Sequence, residues 1–578
     1  MPKKVLQKRI IAGFIVILAF ACIAAFLLRP VLWKGKGYAV GDPYDPSFHA
    51  WTISWDVHAI FTNPFNLFNA NIFFPNRYTL AYSEHEITNA LLASPFLALS
   101  GDPIQSANIT LYLNFILSGI GAYLLSKRLT KSRLSAFVSG IAFAFAPYMF
   151  SHITQLSICS VGWTPLSFLF LHRYIEDKKA YDAFLFALFF VLQFLSNTYV
   201  GLFLSVGVVI FIVVRIFFDR KTFTLKLIVY GALALILAAI LIFPFAYPYI
   251  KVHSLNPGFE RKLYEVEAHS ADVQDFLVAP EFSFIWGKVT KHFRENTYKR
   301  AGPNARSLFP GLIIFILAIL GAASLFRNGK GEERFYFWAY LSICLCSASF
   351  CLGPSLFVFG RRASIPMPYD ILYRFYPGLR ALRVPTIFSV LTTLSLAVLA
   401  GFGARALAGF FSKRGRNVEA FASVVLVALI FLDVMTTSLP LAPLPRKKDF
   451  PKVYSWLASK PGDAPTLELP MPRDDGAWVV LESRRTYFST LHWKKIVNGF
   501  SSFKPPSYNE AKMLFRNFPD DKCERFLKRD RIQFLIIHTA DAWGPELVKK
   551  LTKYNGKIAK FKLEAVFNYD YAYSVIYR

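Results

Sequence analysis

Runs of about 20 consecutive apolar residues recur along the chain, and each is long enough to cross the hydrocarbon core of a bilayer as a helix. The first run, residues 9–28, follows the basic segment MPKKVLQKR. It is longer than the apolar part of a signal peptide and lacks a convincing small-x-small cleavage site, so we interpret it as a retained first span. Because 54% of all residues are hydrophobic, we predict a polytopic α-helical membrane protein rather than a soluble enzyme.

Ten further apolar segments bring the prediction to about eleven transmembrane helices, within a range of about ten to thirteen because two segments are short. These segments are residues 108–126, 134–150, 157–171, 183–196, 199–217, 224–250, 308–326, 335–351, 385–404 and 420–438. Lys and Arg cluster in alternate short loops, and the positive-inside rule places those loops in the cytoplasm together with the N-terminus. The long loops and the C-terminal part are then extracytoplasmic.

This topology predicts a membrane core over residues 1–438, with external loops over residues 29–107, 251–307 and 352–384. A tail over residues 439–578 opens with LPLAPLPRKKDFP, whose prolines indicate a linker. The segments PKVYSWLASK, TLELP, RIQFLIIHT and GPELVKKLTKY favour helix, strand, strand and helix, and KFKLEAVFN with YAYSVIYR favours a final hairpin. We therefore predict a small extracytoplasmic α/β domain at the C-terminus.

The net charge of +28 does not point to nucleic acid, because many of the basic residues lie in the loops that set topology. The remaining cations are expected to attract anionic membrane lipids. Of six cysteines, only Cys523 lies in the tail. The spacing of the others supports neither a disulfide framework nor a zinc site.

The segment GDPYDPSFHAW, residues 41–51, places two carboxylates where the chain leaves the first span. Asp42 and Asp45 are candidate catalytic residues, and His49 is a candidate substrate-binding residue beside them. The alternative is that the acids only cap the helix that follows. The aromatic residues of that helix share one face, which we expect to lie in the membrane interface: Phe48, Trp51 and Trp55.

A second acidic cluster, YSEHEITN at residues 82–89, ends the same loop. Glu84, His85 and Glu86 are candidates for metal ligands or for a proton acceptor, although adjacent side chains point in different directions. The alternative is a capping box between Ser83 and Glu86 at the start of the next helix.

Further candidate substrate-binding residues lie on the same predicted side of the membrane. His152 and Gln155, three residues apart, are expected on one helical face toward a water-filled cavity. Arg374, Arg380 and Arg383 lie in the third external loop, where guanidinium groups would bind phosphate oxygens in pairs. The alternative for the arginines is contact with lipid head groups.

The tail contributes one more candidate, His492, in the segment TYFSTLHWKKIVNGFSSFKPPSYNE. Its mixture of aromatic and polar side chains is typical of a surface that binds carbohydrate. The alternative is a contact between the tail and the membrane core.

Five segments together resemble a family of bacterial multispanning proteins in the GT-C glycosyltransferase superfamily, which includes YfhO-like and mannosyltransferase-like proteins. The segments are GDPYDP, FNANIFFPNRYTLAYSEH, AFAFAPYMFSHITQLS, FYPGLRALRVPTIF and STLHWKKIVNGFSSFKPPSY. The resemblance implies a donor sugar linked to polyprenyl phosphate and an acid in the first external loop, which matches Asp42, with Asp45 as a helper. An adjacent Asp-Glu pair and a Trp-Trp-Asp signature are missing, so the resemblance does not extend to protein glycosylation in particular.

We therefore predict an integral membrane glycosyltransferase on the outer face of the bacterial cytoplasmic membrane, acting on a glycan, lipid or protein acceptor. Asp42 would take the acceptor proton while Arg380 and Arg383 bind the lipid phosphate, which requires these groups to meet at one pocket. His152 or Glu86 would line that pocket. A divalent cation, Mg²⁺ or Mn²⁺, remains open, with Glu84 or Glu86 as its ligand. The alternatives are a flippase of lipid-linked intermediates and a non-catalytic protein of envelope assembly.

Overall fold

The computed structural model describes residues 3–34, 36–298, 307–472 and 476–578. Residues 299–306 of the predicted middle loop lie outside the described residues, as do position 35 of the first loop and residues 473–475 of the tail. The helices, in chain order, are α1 (Lys3–Leu27), α2 (Arg29–Lys34), α3 (Tyr44–Thr62), α4 (Ile87–Ser100), α5 (Pro103–Thr130), α6 (Arg133–Ala144), α7 (Pro147–Ser151), α8 (Leu156–Cys159), α9 (Trp163–Asp177), α10 (Ala180–Ser196), α11 (Thr198–Phe218), α12 (Leu225–Leu255), α13 (Leu263–Ala268), α14 (Trp286–Val289), α15 (Lys291–Tyr298), α16 (Leu312–Asn328), α17 (Glu332–Cys351), α18 (Pro368–Phe375), α19 (Ser389–Ser412), α20 (Arg416–Val434), α21 (Lys452–Ala458), α22 (Ala477–Phe488), α23 (Pro506–Leu514), α24 (Asp521–Arg529) and α25 (Gly544–Lys553). The strands are β1 (Tyr38–Val40), β2 (Ser355–Val358), β3 (Arg361–Pro366), β4 (Leu441–Pro443), β5 (Thr466–Leu469), β6 (Phe534–His538), β7 (Ala559–Phe567) and β8 (Asp570–Tyr577).

The predicted class, a polytopic helical membrane protein, is confirmed. Among the described residues, 7 helical segments are long and apolar enough to cross a membrane: Ile10–Leu27, Pro103–Thr130, Arg133–Ser151, Thr198–Phe218, Leu225–Leu255, Pro385–Ser412 and Arg416–Val434. Shorter apolar helices are Ile87–Ser100, Ala180–Ser196 and Leu312–Asn328. Every predicted apolar segment overlaps a helix, while the number of spans stays a prediction.

The chain divides into two compact units. The membrane unit comprises Met1–Trp33, Thr110–Pro244 and Glu260–Leu439, and the loop-and-tail unit comprises Lys34–Ile109, Phe245–Phe259 and Pro440–Arg578. The sequence prediction assigns the first external loop to the membrane core. The structure instead places most of that loop in the same compact unit as the C-terminal tail.

The interior of the membrane unit is built around α19, which packs against α6, α16, α17 and α20. Small residues permit close contact between α16 and α19. A Cβ atom added at Gly321 would lie 1.9 Å from the carbonyl oxygen of Leu399, and one added at Gly403 would lie 2.0 Å from that of Leu317. Glycine is therefore required where the two backbones approach, as in other helix pairs that pack within membranes.

The loop-and-tail unit contains a sheet with the strand order β5-β6-β8-β7. β5 and β6 are parallel, and β8 is antiparallel to both of its neighbours. The predicted strands, the predicted helices and the final hairpin of the tail are confirmed. β1 pairs with β4, which ties the chain just before Asp42 to the first residues of the tail. This pairing fixes the backbone from which the candidate acids project.

Helix α3 buries its aromatic face inside the loop-and-tail unit. The ring of Trp51 is 1% exposed, and its indole N–H donates to Asn71 over 3.2 Å. Phe48 packs edge-on against Phe500 at 5.3 Å. Trp55 is buried as well. The expectation that this face lies in the membrane interface is therefore wrong, because protein side chains already cover it.

We predict that Trp51→Ala destabilises the protein by about 3–5 kcal/mol, since it removes a fully buried ring and leaves a cavity. Trp33→Ala is the matched control, because that ring is 84% exposed. Thermal unfolding of both variants in detergent checks the prediction. Equal melting temperatures for the two variants would contradict it.

Candidate acidic site and its cationic counterpart

Asp42 lies in the turn between β1 and α3. Gly41 adopts a φ of +79°, which favours glycine, and its N–H donates to Pro440 over 2.8 Å. The Asp42 Oδ1 atom accepts the backbone N–H groups of Tyr44 at 2.8 Å and Asp45 at 3.1 Å. Asp42 thus caps the first turn of α3 with one carboxylate oxygen, while Oδ2 takes no part in these two bonds.

The carboxyl group of Asp42 has a raised pKa. Burial raises it first, and the negative charge of Asp45 raises it further, while the bonds from the backbone N–H groups oppose the shift. A partly buried acid with a raised pKa is a better proton acceptor than an ordinary aspartate once it is ionised. The capping function and a catalytic function can therefore belong to the same carboxyl group.

His49 lies one turn after Asp45 on α3 and forms an ion pair with Glu86 through Nδ1. The second oxygen of Glu86 accepts the side-chain amide of Asn89 at 2.9 Å. The Glu86 N–H donates to Asp56 of α3 over 2.9 Å. These bonds join the first turns of α4 to α3. The predicted capping box between Ser83 and Glu86 is wrong, because the Glu86 side chain faces His49 and Asn89 instead.

Burial and neighbouring charges shift the pKa values of His49 and Asp56 in this network. Burial alone would lower the pKa of His49, but the carboxylate of Glu86, with smaller contributions from Asp45 and Glu84, raises it above its ordinary value. Burial, together with the nearby charge of Glu86, raises the pKa of Asp56 well above its ordinary value. The directions of these two pKa shifts favour the protonated forms of His49 and Asp56.

His85 points away from this network, as expected for adjacent residues. Its Nδ1 atom lies 2.8 Å from the Tyr249 hydroxyl, and its ring stacks on Phe245 at 5.7 Å. Burial lowers the pKa of His85 to about 4, so the ring is neutral and packs as part of the interior. A role for His85 in substrate binding stays a prediction that this burial does not favour.

The acidic cluster does not fit the metal site that the sequence left open. Both oxygens of Glu86 are engaged with His49 and Asn89. Within the described ranges, no group of three or more His, Cys, Asp or Glu side chains is arranged to hold a metal ion. Glu84 remains partly exposed beside the network.

A cavity of about 600 Å³ opens next to the acidic turn within the loop-and-tail unit. Pro43 and Tyr44, the two residues that follow Asp42, form part of its wall. Across the cavity, Arg484 and Arg485 both donate to Asp541, at 2.9 and 3.1 Å. The acids are therefore not enclosed in a solid helix cap.

In the membrane unit, His152 and Gln155 meet as the sequence predicts, with 3.1 Å between Nδ1 and Oε1. They do so across a turn rather than along a helix, and His152 is buried. Among the described residues, its Nε2 atom has no hydrogen-bond partner. The pair is thus preorganised, and its role in substrate binding stays a prediction.

The three predicted arginines lie on an exposed segment of the membrane unit. Arg374 pairs with Asp370 over 2.8 Å, and its carbonyl oxygen accepts a bond of 3.5 Å from Arg380. Sequence analysis missed a fourth member, Arg261, whose N–H donates to the carbonyl of Arg380 over 2.8 Å. Burial and the positive charge of Arg383 lower the pKa of Arg261. The Arg261 side chain also pairs with Glu265 at 3.3 Å. Backbone bonds and the charge of Arg383 thus bring Arg261 into the neighbourhood of the predicted arginines, where guanidinium groups suit phosphate oxygens.

His492 does not lie on a sugar-binding surface. It is 9% exposed, accepts the Lys494 N–H at 3.0 Å and stacks on Tyr454. Tyr487 and Asn498 of the same segment are fully buried. The expectation of an aromatic surface is therefore wrong for these side chains, since they form the interior of the unit, and we remove His492 from the candidate site.

Comparison with known proteins places this arrangement in a family. A family model described as a domain of unknown function, DUF6311, matches residues 11–411. The chain belongs to the DUF6311 family. The match contains Asp42, the Glu86 network and all four arginines, and it ends before most of the tail. No curated protein matches this DUF6311 chain.

Three solved structures are similar to this DUF6311 protein. The arabinofuranosyltransferase AftD from Mycobacteria shares 16% identity and a TM-score of 0.56 over 97% of this chain and 41% of its own. This chain thus spans about two fifths of AftD. The oligosaccharyltransferase of Archaeoglobus fulgidus has 11% identity and a TM-score of 0.48, covering 98% of this chain and 74% of its own. ArnT from Cupriavidus metallidurans has 11% identity and a TM-score of 0.45, covering 98% of both chains.

The likeness to AftD confirms the predicted GT-C fold. At such low identity the likeness establishes the fold alone. The narrower resemblance to YfhO-like proteins stays a prediction.

We predict that Glu86→Gln lowers the pKa of His49 from above to below its ordinary value of 6.5, because burial then outweighs the remaining carboxylates. Glu84→Gln is the control, since Glu84 contributes less, and it should move the pKa only slightly. Histidine NMR titration of both variants in detergent micelles measures this. Equal shifts in the two variants would contradict the assignment of the ion pair.

Proposed function

We propose that this protein transfers a sugar from a polyprenyl-phosphate donor to an acceptor hydroxyl on the outer face of the cytoplasmic membrane. The observation that carries the proposal is the state of Asp42, a partly buried carboxyl group with a raised pKa, one oxygen held by the backbone and a cavity beside its turn. The fold shared with the arabinofuranosyltransferase AftD supports the transferase class.

In the proposed reaction, Asp42 removes the proton of the acceptor hydroxyl as its oxygen attacks the anomeric carbon of the donor. The bond between that carbon and the phosphate oxygen breaks, and the polyprenyl phosphate leaves with the bonding electrons. A positioned general base typically contributes about 10²- to 10⁴-fold to such a rate. Asp45 assists by raising the pKa of Asp42.

The departing phosphate needs compensating positive charge. Arg380 and Arg383 of the membrane unit stay the predicted phosphate ligands, and the backbone N–H of Arg261 donates to the Arg380 carbonyl. Their guanidinium groups match phosphate oxygens in geometry and stay charged at all physiological pH values. A long isoprenoid chain requires a membrane-embedded enzyme, which agrees with the helical class of this protein.

We predict that Asp42→Asn reduces transfer by about 10²- to 10⁴-fold. The substitution separates chemistry from folding, because the amide oxygen can still accept the two N–H groups that Asp42 caps. Asp463→Asn is the control, since that acid is exposed and pairs with Lys495. Protein in nanodiscs is supplied with a panel of radiolabelled polyprenyl-phosphate sugars and an envelope extract as acceptor.

Full transfer by a normally folded Asp42→Asn variant would exclude Asp42 as the base. Movement of the donor across the bilayer by the wild-type protein, without any glycosidic product, would contradict the proposed function and favour a transporter.

The pH dependence provides a second test. The ionised form of Asp42 is the active one, so the rate should rise with pH through a pKa above the ordinary value of 3.8. Asp45→Asn removes a negative charge that raises this pKa, so the acid limb should move to lower pH. The pH profile of kcat/KM gives the position of the acid limb in the wild type and in the Asp45→Asn variant. An acid limb that stays in place or moves upward in the Asp45→Asn variant would contradict the assignment.

A further inference from the structure

The loop-and-tail unit contains a half-buried lysine, Lys447. Lys447 opens a short 3₁₀ turn after β4, and burial lowers its pKa. The nearby carboxylate of Asp449 is engaged with Arg446 at 2.8 Å. In the part of the chain that the structure describes, no carboxylate forms an ion pair with Lys447. A partly desolvated cation without a counter-charge favours an anionic ligand.

Lys447 lines a groove of about 540 Å³ between α3 and α4. Two further lining residues, His58 and Trp493, stack their rings with 4.5 Å between the ring centres and 10° between the planes. Burial and the positive charge of Lys447 lower the pKa of His58, so that ring adds no second cation. Phe61 and Pro95 belong to the apolar wall. The lining of the groove therefore combines one cationic side chain with apolar ones.

Helix α4, which forms one wall of the groove, directly precedes a candidate membrane span in the sequence. α4 carries no charged residue, and it ends at Ser100, two residues before α5 begins at Pro103. The connection is short, so the end of α4 lies within about 10 Å of the start of α5. Helix α5 is itself long and apolar enough to span a bilayer. Phe61, which lines the groove, is an exposed apolar side chain, and α4 carries two more at Leu91 and Leu99. An uncharged exposed surface beside a span is suited to lipid.

We propose that this groove binds a phospholipid of the bilayer, with the head-group phosphate at the Lys447 ammonium and an acyl chain along α3 and α4. The phosphate supplies the missing negative charge, and the acyl chain covers the exposed apolar wall. This site is separate from the acidic cluster, and the proposal does not depend on the transfer reaction. It assigns to the loop-and-tail unit its own anchor in the membrane surface.

The test measures lipid retention by the full chain. Protein purified in detergent is incubated with phosphatidylglycerol, and bound lipid is counted by native mass spectrometry. Lys447→Gln should reduce retention about five-fold, the effect expected for one lysine at an anionic lipid surface. Lys448→Gln is the matched control, because this neighbour is exposed and does not line the groove. It should retain lipid like the wild type.

A second variant tests the contribution of the apolar wall of the groove without changing the charge of the protein. Ala98→Trp places a large side chain in the groove at an exposed position, and it should reduce retention while the melting temperature stays unchanged. The proposal is overturned if Lys447→Gln retains lipid normally, or if Lys448→Gln loses as much. It is also overturned if inorganic phosphate displaces the lipid, or if only polyprenyl phosphate binds.

Discussion

The ion pair between His49 and Glu86 is the interaction on which the geometry of the acidic loop depends. It is buried, so either group alone would carry an unpaired charge in a poorly solvated place, and removing one partner of such a pair is typically costly. Asn89 and Asp56 complete the network and join α3 to α4. The position of Asp42, at the start of α3, follows from where this network and the buried ring of Trp51 hold that helix.

The two interpretations of the acidic turn, helix cap and catalytic base, are compatible because a carboxylate has two oxygens. Asp42 uses Oδ1 for the first turn of α3. Burial and the charge of Asp45 raise its pKa, which a purely structural cap does not need. In the membrane unit, Arg261 likewise combines two contributions: its backbone N–H binds the carbonyl of Arg380, and its side chain adds positive charge near Arg383. Each group of candidate side chains is thus organised by local contacts within its own unit.

Sequence patterns predicted the class of the protein and the elements of its tail, because apolar runs and strand periodicity report directly on local structure.

Sequence patterns failed where one pattern fits two environments. The spacing of Phe48, Trp51 and Trp55 fits a lipid-facing helix and a buried helix equally well, and only tertiary contacts decide between them. His492 shows the same ambiguity between a sugar-binding surface and a protein interior. Arg261 was missed because it joins the other arginines through a backbone bond to Arg380 that no local pattern encodes. Glu86 and His49 were both named as candidates, but their pairing could not be inferred because they lie 37 residues apart in the sequence.

The central claim is that the donor sugar is held at the turn that begins with Asp42. A polyprenyl-phosphate sugar with a photoreactive diazirine on the sugar ring tests it most directly, with labelled peptides identified by mass spectrometry. The account predicts labelling within residues 38–49 that an excess of unmodified donor suppresses. Labelling confined to segments outside the first loop, or labelling that unmodified donor does not reduce, would contradict it.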